Sequence, residues 1–376
     1  MAIACGGTGG HLFPGMAVAG ALRELGFDCA LLVSEKEIDH RALEGQNDFL
    51  VHTLPSVGLA GMSFVGFLNG FLKSFKTMRG WCRAYRPCAV LAMGGFTSTA
   101  PLLAGRFAGV PTFVHEANAF PGKANRWFAP WVDLAFTGFE SASLRLASQF
   151  VRVTGTPVRS LFRPIDPAAA RLALGLAPQR PVLLITGGSQ GARGLNRAVL
   201  NWLPQAVRLV PGMQVLHLTG SLDFEETRSR YAALGVMATV KPFLTEMDLA
   251  LGAATLAISR AGASSSAEYA AMHVPTILVP YPAAADDHQS FNAAEYERTG
   301  AAVVVREADL GKASTLELVV DLMTHPERRA SLADAMGAWH SSNAARHIAT
   351  AMKDVITERF PNLVLVPEAC VGEEFV

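Results

Sequence analysis

Charge is scarce in this chain. Asp, Glu, Lys and Arg make up 17% of its 376 residues, where an average soluble domain carries about 25%. The two signs cancel, with 32 basic and 32 acidic residues. A chain with no positive excess is not a generally basic nucleic-acid binder. One that is 50% hydrophobic is not intrinsically disordered. Cysteine is sparse as well. Cys5, Cys29, Cys82, Cys88 and Cys370 are odd in number and form no CxxC pair, which argues against a disulfide framework or a zinc site. Reduced thiols in a cytosolic protein are expected. The first residues lack a basic region and a sustained apolar run, so no signal peptide is expected. Residues 49 to 72 lack charge altogether and are long enough to span a bilayer. Pro55, Ser56, Asn69 and four glycines interrupt them, so an interfacial element fits better than a spanning helix.

What is present is a length suited to two domains and a repeated pattern of short apolar runs. Ala2–Cys5, Cys29–Val33, Ala89–Ala92, Thr112–His115 and Leu134–Thr137 read as buried strands, with a helix over about Phe13–Leu25. Prolines 157, 164, 167 and 178 then mark a linker and the approach to a second domain. Val182–Thr186, Val215–Leu218, Thr255–Ile258, Thr276–Val279 and Ala302–Val305 continue the pattern. Strands alternating with helices imply α/β folding: two Rossmann-like domains, each opened by a strand and a glycine loop.

The first loop is Gly6-Gly7-Thr8-Gly9-Gly10-His11. Glycines at a strand-to-helix junction let a ligand approach the backbone, and the free N–H groups of a helix start favour an anion. Leu12 stands where a dinucleotide fingerprint needs glycine, and no Gly-Lys-Ser/Thr follows, so neither that motif nor a P-loop is present. A tight turn without a ligand is the bland alternative. The second loop, Gly187-Gly188-Ser189-Gln190-Gly191, has the same context. Two such loops suit a nucleotide-activated substrate held between two domains. A third site, Ser259 to Glu268, opens another helix. Glu268 lies about one turn in, where it serves either a ribose or the helix dipole. Asp286 and Asp287 lie in a fourth stretch and suggest a metal, but no DxD pattern accompanies them, which favours a solvated helix start.

GGTGGHLFPGMAVA, MGGFTSTAP, HEANAFPGKANRW, GTPVR, GGSQGARGLN, SRAGASSSAE and DDHQSFNA follow one another along residues 1 to 350. In this order they resemble the bacterial MurG family, the N-acetylglucosaminyltransferases that form lipid II. The resemblance implies a GT-B fold, two Rossmann-like domains facing across a cleft. It places an N-terminal acceptor and membrane-side domain at 1–157, a UDP-GlcNAc-binding domain at 158–337, a crossing helix at about 338–358 and a tail at 359–376. It implies transfer of GlcNAc from UDP-GlcNAc to the muramyl 4-hydroxyl of undecaprenyl-linked lipid I, with inversion. No cofactor is required and no metal site is evident. Thr8, Gly9, Gly10, Asn118, Arg159, Ser189, Leu244, Ala263, Ser264, Ser265, Ser266, Ala267, Glu268 and Gln289 would bind the donor. His11 would be the general base, with Glu116 as the competing candidate. The bland role for His11 is orienting the loop. Ala117 stands where the family often has Gln, which removes that side chain's contacts. Inversion needs one displacement, so one base and a stabilised leaving group suffice. The alternatives are a GT-B enzyme with another acceptor, a UDP-GlcNAc epimerase, or a nucleotide-sugar binder without turnover.

The implied acceptor sits in a membrane. Phe64, Phe67, Leu68, Phe71, Leu72 and Phe75 recur at spacings of one and three, on one helix face. Lys73, Lys76, Arg79, Arg83 and Arg86 interleave or follow. The stripe reads either as core packing or as an interfacial helix on anionic lipid. Residues 49 to 115 hold six basic and no acidic residues. Residues 1 to 155 hold 13 basic against 10 acidic, and the remainder 19 against 22. The zero net charge conceals a positive face suited to an anionic membrane surface. The expected location is peripheral, on the cytoplasmic face of the plasma (inner) membrane, with wall-synthesis or division proteins as further partners.

Overall fold

Short apolar segments bounded by turn residues fold as buried parallel strands when helices cover both faces of the sheet. The computed structural model describes residues 1–7, 9–35, 43, 49–55, 64–188 and 191–365, without the side chains of Phe64, Val65 and Phe67. It divides into two compact units: Met1–Arg159 with the chain from Ser341 onward, and Ser160–His340.

The first unit holds a seven-stranded parallel sheet. Its strands are β1 (Ala2–Ala4), β2 (Ala30–Ser34), β3 (Leu50–Leu54), β4 (Val90–Ala92), β5 (Thr112–Glu116), β6 (Leu134–Thr137) and β7 (Val151–Val153). The order is β3-β2-β1-β4-β5-β6-β7. It reverses between β1 and β4, the switch point where open α/β sheets bind ligands. On one face, Leu12, Met16 and Leu22 of helix Gly9–Glu24 pack with Ile348, Met352 and Ile356 of helix Ala344–Arg359. On the other, Met78, Trp81 and Cys82 of helix Phe64–Tyr85 cover Ala2, Ala4 and Val90. The crossing helix starts at Ala344, later than the expected position near 338. Beyond it, Phe360, Leu363 and Leu365 pack on the same core. The start of the expected tail is therefore anchored apolar chain, and residues 366–376 lie outside the described residues.

The second unit holds β8 (Val182–Thr186), β9 (Gln214–Leu218), β10 (Thr239–Lys241), β11 (Leu256–Ser259), β12 (Thr276–Leu278) and β13 (Ala302–Val304). They form a parallel sheet in the order β10-β9-β8-β11-β12-β13. The proline-rich stretch expected as linker is mostly folded onto this unit. Asp166 caps helix Pro167–Ala173 by accepting from Ala168 and Ala169 N–H. Arg171 donates to the Ala253 carbonyl and to Thr255 Oγ1. A Cβ on Gly252 would lie 2.5 Å from Ile165, so the two segments meet closely. Among the described residues, no helix is long and apolar enough to cross a membrane.

Each unit buries a neutral histidine. Burial lowers the pKa of His115 to about 4 and that of His217 to about 3. The folded chain therefore resists protons that the unfolded chain accepts from pH 6.5 downward. Stability should be flat above that pH and fall below it, by about 1.4 kcal/mol per histidine at pH 5.5. Urea unfolding at pH 7.5 and 5.5 measures this. An identical midpoint at both would show that neither imidazole is held neutral.

Candidate functional site

At the β1–β4 switch point the backbone runs too close for side chains. A Cβ on Gly6 would lie 2.3 Å from the Ser34 backbone nitrogen, and one on Gly15 would lie 2.6 Å from Cys5 Cβ. The first helix begins at Gly9 and not near Phe13. Gly9, Gly10 and His11 therefore form its first turn. Thr8 lies outside the described residues. The half-buried His11 ring rests on the Gly94–Gly95 backbone. A Cβ on Gly94 would be 3.1 Å from His11 Nε2, and one on Gly95 3.3 Å from its Cε1. Both glycines have positive φ, 110° and 74°. Thr97 Oγ1 donates to the Gly6 carbonyl at 2.9 Å, and Ser98 Oγ lies 3.1 Å from the Ala4 carbonyl. These bonds tie the residue 93–99 loop to the first glycine loop.

Beside this pair lies a buried carboxylate. Glu116, at the end of β5, is 2% exposed. One oxygen accepts from the backbone N–H and side-chain amide of Asn118, at 2.8 and 3.0 Å. The other accepts from Gly122 N–H and the Asn125 amide, both at 2.8 Å. Burial pushes its pKa up, and the four donors act in the opposite direction. Glu116 thus pins residues 116–125 into one loop. Asn125 also comes close to Gly94, since its amide nitrogen would be 3.5 Å from a Cβ there. His115 donates through Nε2 to the Gly155 carbonyl at 3.3 Å, which leaves its buried Nδ1 as an acceptor with no partner. Arg159 stacks over the Phe13 ring at 4.2 Å, which sets it against the first helix.

The second unit presents several loops at strand ends. Gly188 and Gly191 take positive φ. A Cβ on Gly191 would be 2.2 Å from the Thr219 carbonyl, so the glycine loop presses on the segment after β9. Ser189 lies outside the described residues. Beneath the loop runs a polar chain. Tyr231 bonds His217, His217 bonds Asn196 at 3.0 Å, and Asn196 donates to Asp223 at 3.0 Å. Asp223 in turn holds Arg193 at 2.9 Å. After β11, Arg260 donates to the Val279 and Pro280 carbonyls and to Glu307, and stacks 5.2 Å from the Tyr281 ring. One guanidinium thus fastens three loops.

Gly262 precedes helix Ala263–Ala271. Ala263 and Ser266 are buried, while Ser264, Ser265, Ala267 and Glu268 are half-buried. Ser266 Oγ is buried without a hydrogen-bond partner. Leu244 is buried between β10 and helix Met247–Ala253. Gln289 Oε1 accepts from Tyr281 N–H at 2.9 Å. Asp286 and Asp287 both adopt φ near 50° just before helix His288–Arg298, a left-handed pair that stores strain beside a loop. Among the described residues no three His, Cys, Asp or Glu side chains gather to hold a metal ion.

The expected lipid-facing stripe lies on helix Phe64–Tyr85. Its core side is Ser74, Met78, Trp81 and Cys82. Leu68 and Leu72 are 43% and 52% exposed, and Lys73, Lys76, Arg79 and Arg83 are exposed. Phe71 and Phe75 are half-buried and stacked at 6.3 Å, with Phe107 edge-on to Phe75. The side chains of Phe64 and Phe67 lie outside the described residues. Sequence reasoning missed Gly94, Gly95 and Asn125 as residues of the site, and also the polar chain under the second glycine loop. The double glycine after β4 was the available signal.

The glycosyltransferase family 28 N-terminal domain matches residues 1–137 and its C-terminal domain residues 182–352. A curated relative from Anaeromyxobacter sp. (strain Fw109-5) is 34% identical over 96% of this chain and 94% of its own length. One from Xylella fastidiosa (strain Temecula1 / ATCC 700964) is 36% identical over 92% and 94%. Both are named UDP-N-acetylglucosamine--N-acetylmuramyl-(pentapeptide) pyrophosphoryl-undecaprenol N-acetylglucosamine transferase. The crystal structure of Acinetobacter baumannii MurG aligns with a TM-score of 0.71 at 26% identity, covering 94% of this chain and 99% of that one. A putative UDP-N-acetylglucosamine 2-epimerase from Listeria monocytogenes aligns over 100% of this chain and 99% of its own, at 0.65 and 16% identity, a likeness of fold alone.

Replacing Glu116 by Gln turns one acceptor into a donor that faces two N–H groups. Each stranded group costs about 1–3 kcal/mol. E116Q should therefore lower the free energy of unfolding by about 2–4 kcal/mol, read by urea denaturation. A stability equal to wild type would mean that the carboxylate is not the hub of this loop.

Proposed function

The chain belongs to glycosyltransferase family 28, and from that premise we propose that it transfers GlcNAc from UDP-GlcNAc to the muramyl 4-hydroxyl of lipid I, forming lipid II. The observation that carries this is the match along more than nine-tenths of the chain to transferases named for that reaction.

His11 takes the acceptor proton. Its ring is held by the Gly94–Gly95 backbone, and an imidazole titrates close to neutral pH. The 4-oxygen attacks the anomeric carbon of GlcNAc, the bond from that carbon to the UDP oxygen breaks, and UDP leaves with the electron pair. One displacement inverts the configuration. Glu116 is fully engaged by four donors. It therefore serves to order Asn118, which contacts the donor sugar, and leaves the base role to His11. Gly9 and Gly10 offer backbone N–H groups, with Thr8 beside them. Arg159 and Ser189 approach the diphosphate. Leu244 presents its backbone to the uracil. Ala263, Ser264, Ser265, Ser266 and Ala267 cradle the nucleotide at a helix start, Glu268 holds the ribose, and Gln289 reads sugar hydroxyls. Charge on the departing diphosphate is met by preorganised dipoles, so the scheme calls for no metal.

The lipid substrate fits a peripheral enzyme on the cytoplasmic membrane face. Exposed Leu68 and Leu72 beside Lys73 and Lys76 supply an apolar strip with a basic flank. Wall-synthesis and division proteins are the partners that such a location implies.

UDP release in the presence of UDP-GlcNAc and a short-chain lipid I analogue tests the reaction. Release with a soluble acceptor but none with the lipid I analogue would overturn it. H11A should lower kcat by about 10²–10⁴, and turnover near wild type would remove His11 from the base role. L72S combined with K76E should weaken binding to vesicles rich in anionic lipid, with about 1 kcal/mol lost for each basic residue. Unchanged sedimentation with such vesicles would reject the membrane face.

A further inference from the structure

Among the described residues, the first sheet ends at β7 with no further strand paired to its outer edge. β7 pairs with β6 through Ala135–Val151, Phe136–Arg152 and Thr137–Val153. The Phe150 carbonyl accepts from Ala135 N–H, and Thr154 N–H donates to the Thr137 carbonyl. Alternation along a strand then turns the N–H and C=O groups of Val151 and Val153 away from β6. Phe150 and Val153 are 58% and 52% exposed. Exposed edges of this kind are normally covered or guarded by charge, because they template pairing with another chain.

Helix Ala344–Arg359 stands beside this edge. One cavity of about 670 Å³ lies between the start of β7 and the helix end near Val355. A second of about 770 Å³ lies between the end of β7 and the helix start at Asn343. The strand is thus flanked along its length by one helix wall. Sixteen helical residues extend about 24 Å, enough to lie beside about seven extended residues.

Charge selects the occupant. The second cavity is lined by Arg152, Arg346 and His347 together with neutral residues, and no carboxylate lines it. In the first cavity Arg359 is already paired with Asp133 at 3.1 Å and Glu358 balances Arg152, so the positive excess lies at the end of β7, in the second cavity. A second copy of this chain pairing edge to edge would set Arg152 against Arg152, and like charges directly opposite are destabilising. We propose that the β7 edge and helix Ala344–Arg359 form a docking groove for an acidic extended segment of another protein, added as an eighth strand. Val151 and Val153 would supply the main-chain hydrogen bonds, and Arg152 and Arg346 the recognition of carboxylates.

The probe is a fluorescent heptapeptide of alternating glutamate and valine, titrated with the full chain and followed by anisotropy. Saturable binding is expected. It should be lost when lysine replaces glutamate and when the same residues are rearranged into a glutamate block and a valine block. V153P removes an N–H that the native ladder does not use, so the variant should keep its melting temperature and UDP release but lose the peptide. R346E changes only an exposed side chain and should weaken the glutamate peptide while admitting the lysine one. This keeps the proposal open to refutation if V153P fails to fold. No binding of the alternating peptide, equal binding of the block peptide, or binding that survives both V153P and R346E would each overturn the groove.

Discussion

Close approach of one backbone to another at strand ends is the constraint on which both units rest. A parallel sheet covered on both faces leaves only its strand ends for chemistry. The chain that leaves a strand there must cross its neighbours at distances no side chain tolerates. Gly6 meets Ser34, Gly187 meets Ala192 and Gly191 meets Thr219, each at a virtual Cβ separation below 2.6 Å. These glycines are therefore required before any ligand is considered. The same lack of side chains that lets backbones meet leaves N–H groups accessible to a phosphate.

Backbone loops held only at their glycines would be loose. Buried polar groups stiffen them, and a buried polar group is an asset only when all its partners are present. Glu116 has four donors for two oxygens. Asn196 joins His217, Asp223 and the Thr219 carbonyl. Arg260 spends its donors on two carbonyls and a carboxylate. Glu116 closes a single loop on itself, whereas Asn196 and Arg260 join segments distant in sequence, and together they convert a set of turns into a fixed surface. A reaction that depends on preorganised dipoles needs such rigidity, because the dipoles must already point at the developing charge.

The central strands were legible because they are mostly apolar. β1, β2, β4, β5, β6 and β8 are buried at every residue, and their runs stand out in the sequence. β3, β7 and β10 were not anticipated, and all three lie at sheet edges. Leu50-Val51-His52 is largely exposed, and Val151-Arg152-Val153 carries an arginine in its middle, so neither shows a buried run. The glycine loops were legible as motifs, but the helix start at Gly9 was not. His11 was read as part of a glycine loop and instead lies in the first turn of helix Gly9–Glu24, and the Gly94–Gly95 seat of its ring came from a loop more than 80 residues away. Contacts across a switch point leave no local periodicity to read.

The arginines of the second unit illustrate how charge is handled where an anionic donor is expected. Arg193 is held by Asp223 and Arg260 by Glu307. Arg260 is 6% exposed, and an unpaired guanidinium at that depth would carry a heavy desolvation penalty. Pairing makes it a neutral clamp. Glu307 also lies against Gly194, where a Cβ would come within 2.4 Å of its oxygen, so the pair braces the start of helix Arg193–Val199, which follows the second glycine loop. The consequence is a division of labour. Ion pairs fix the loops, and in the proposed reaction backbone N–H groups would be left to meet the diphosphate. Such groups would bind an anion without a mobile counter-charge that must reorganise as UDP departs.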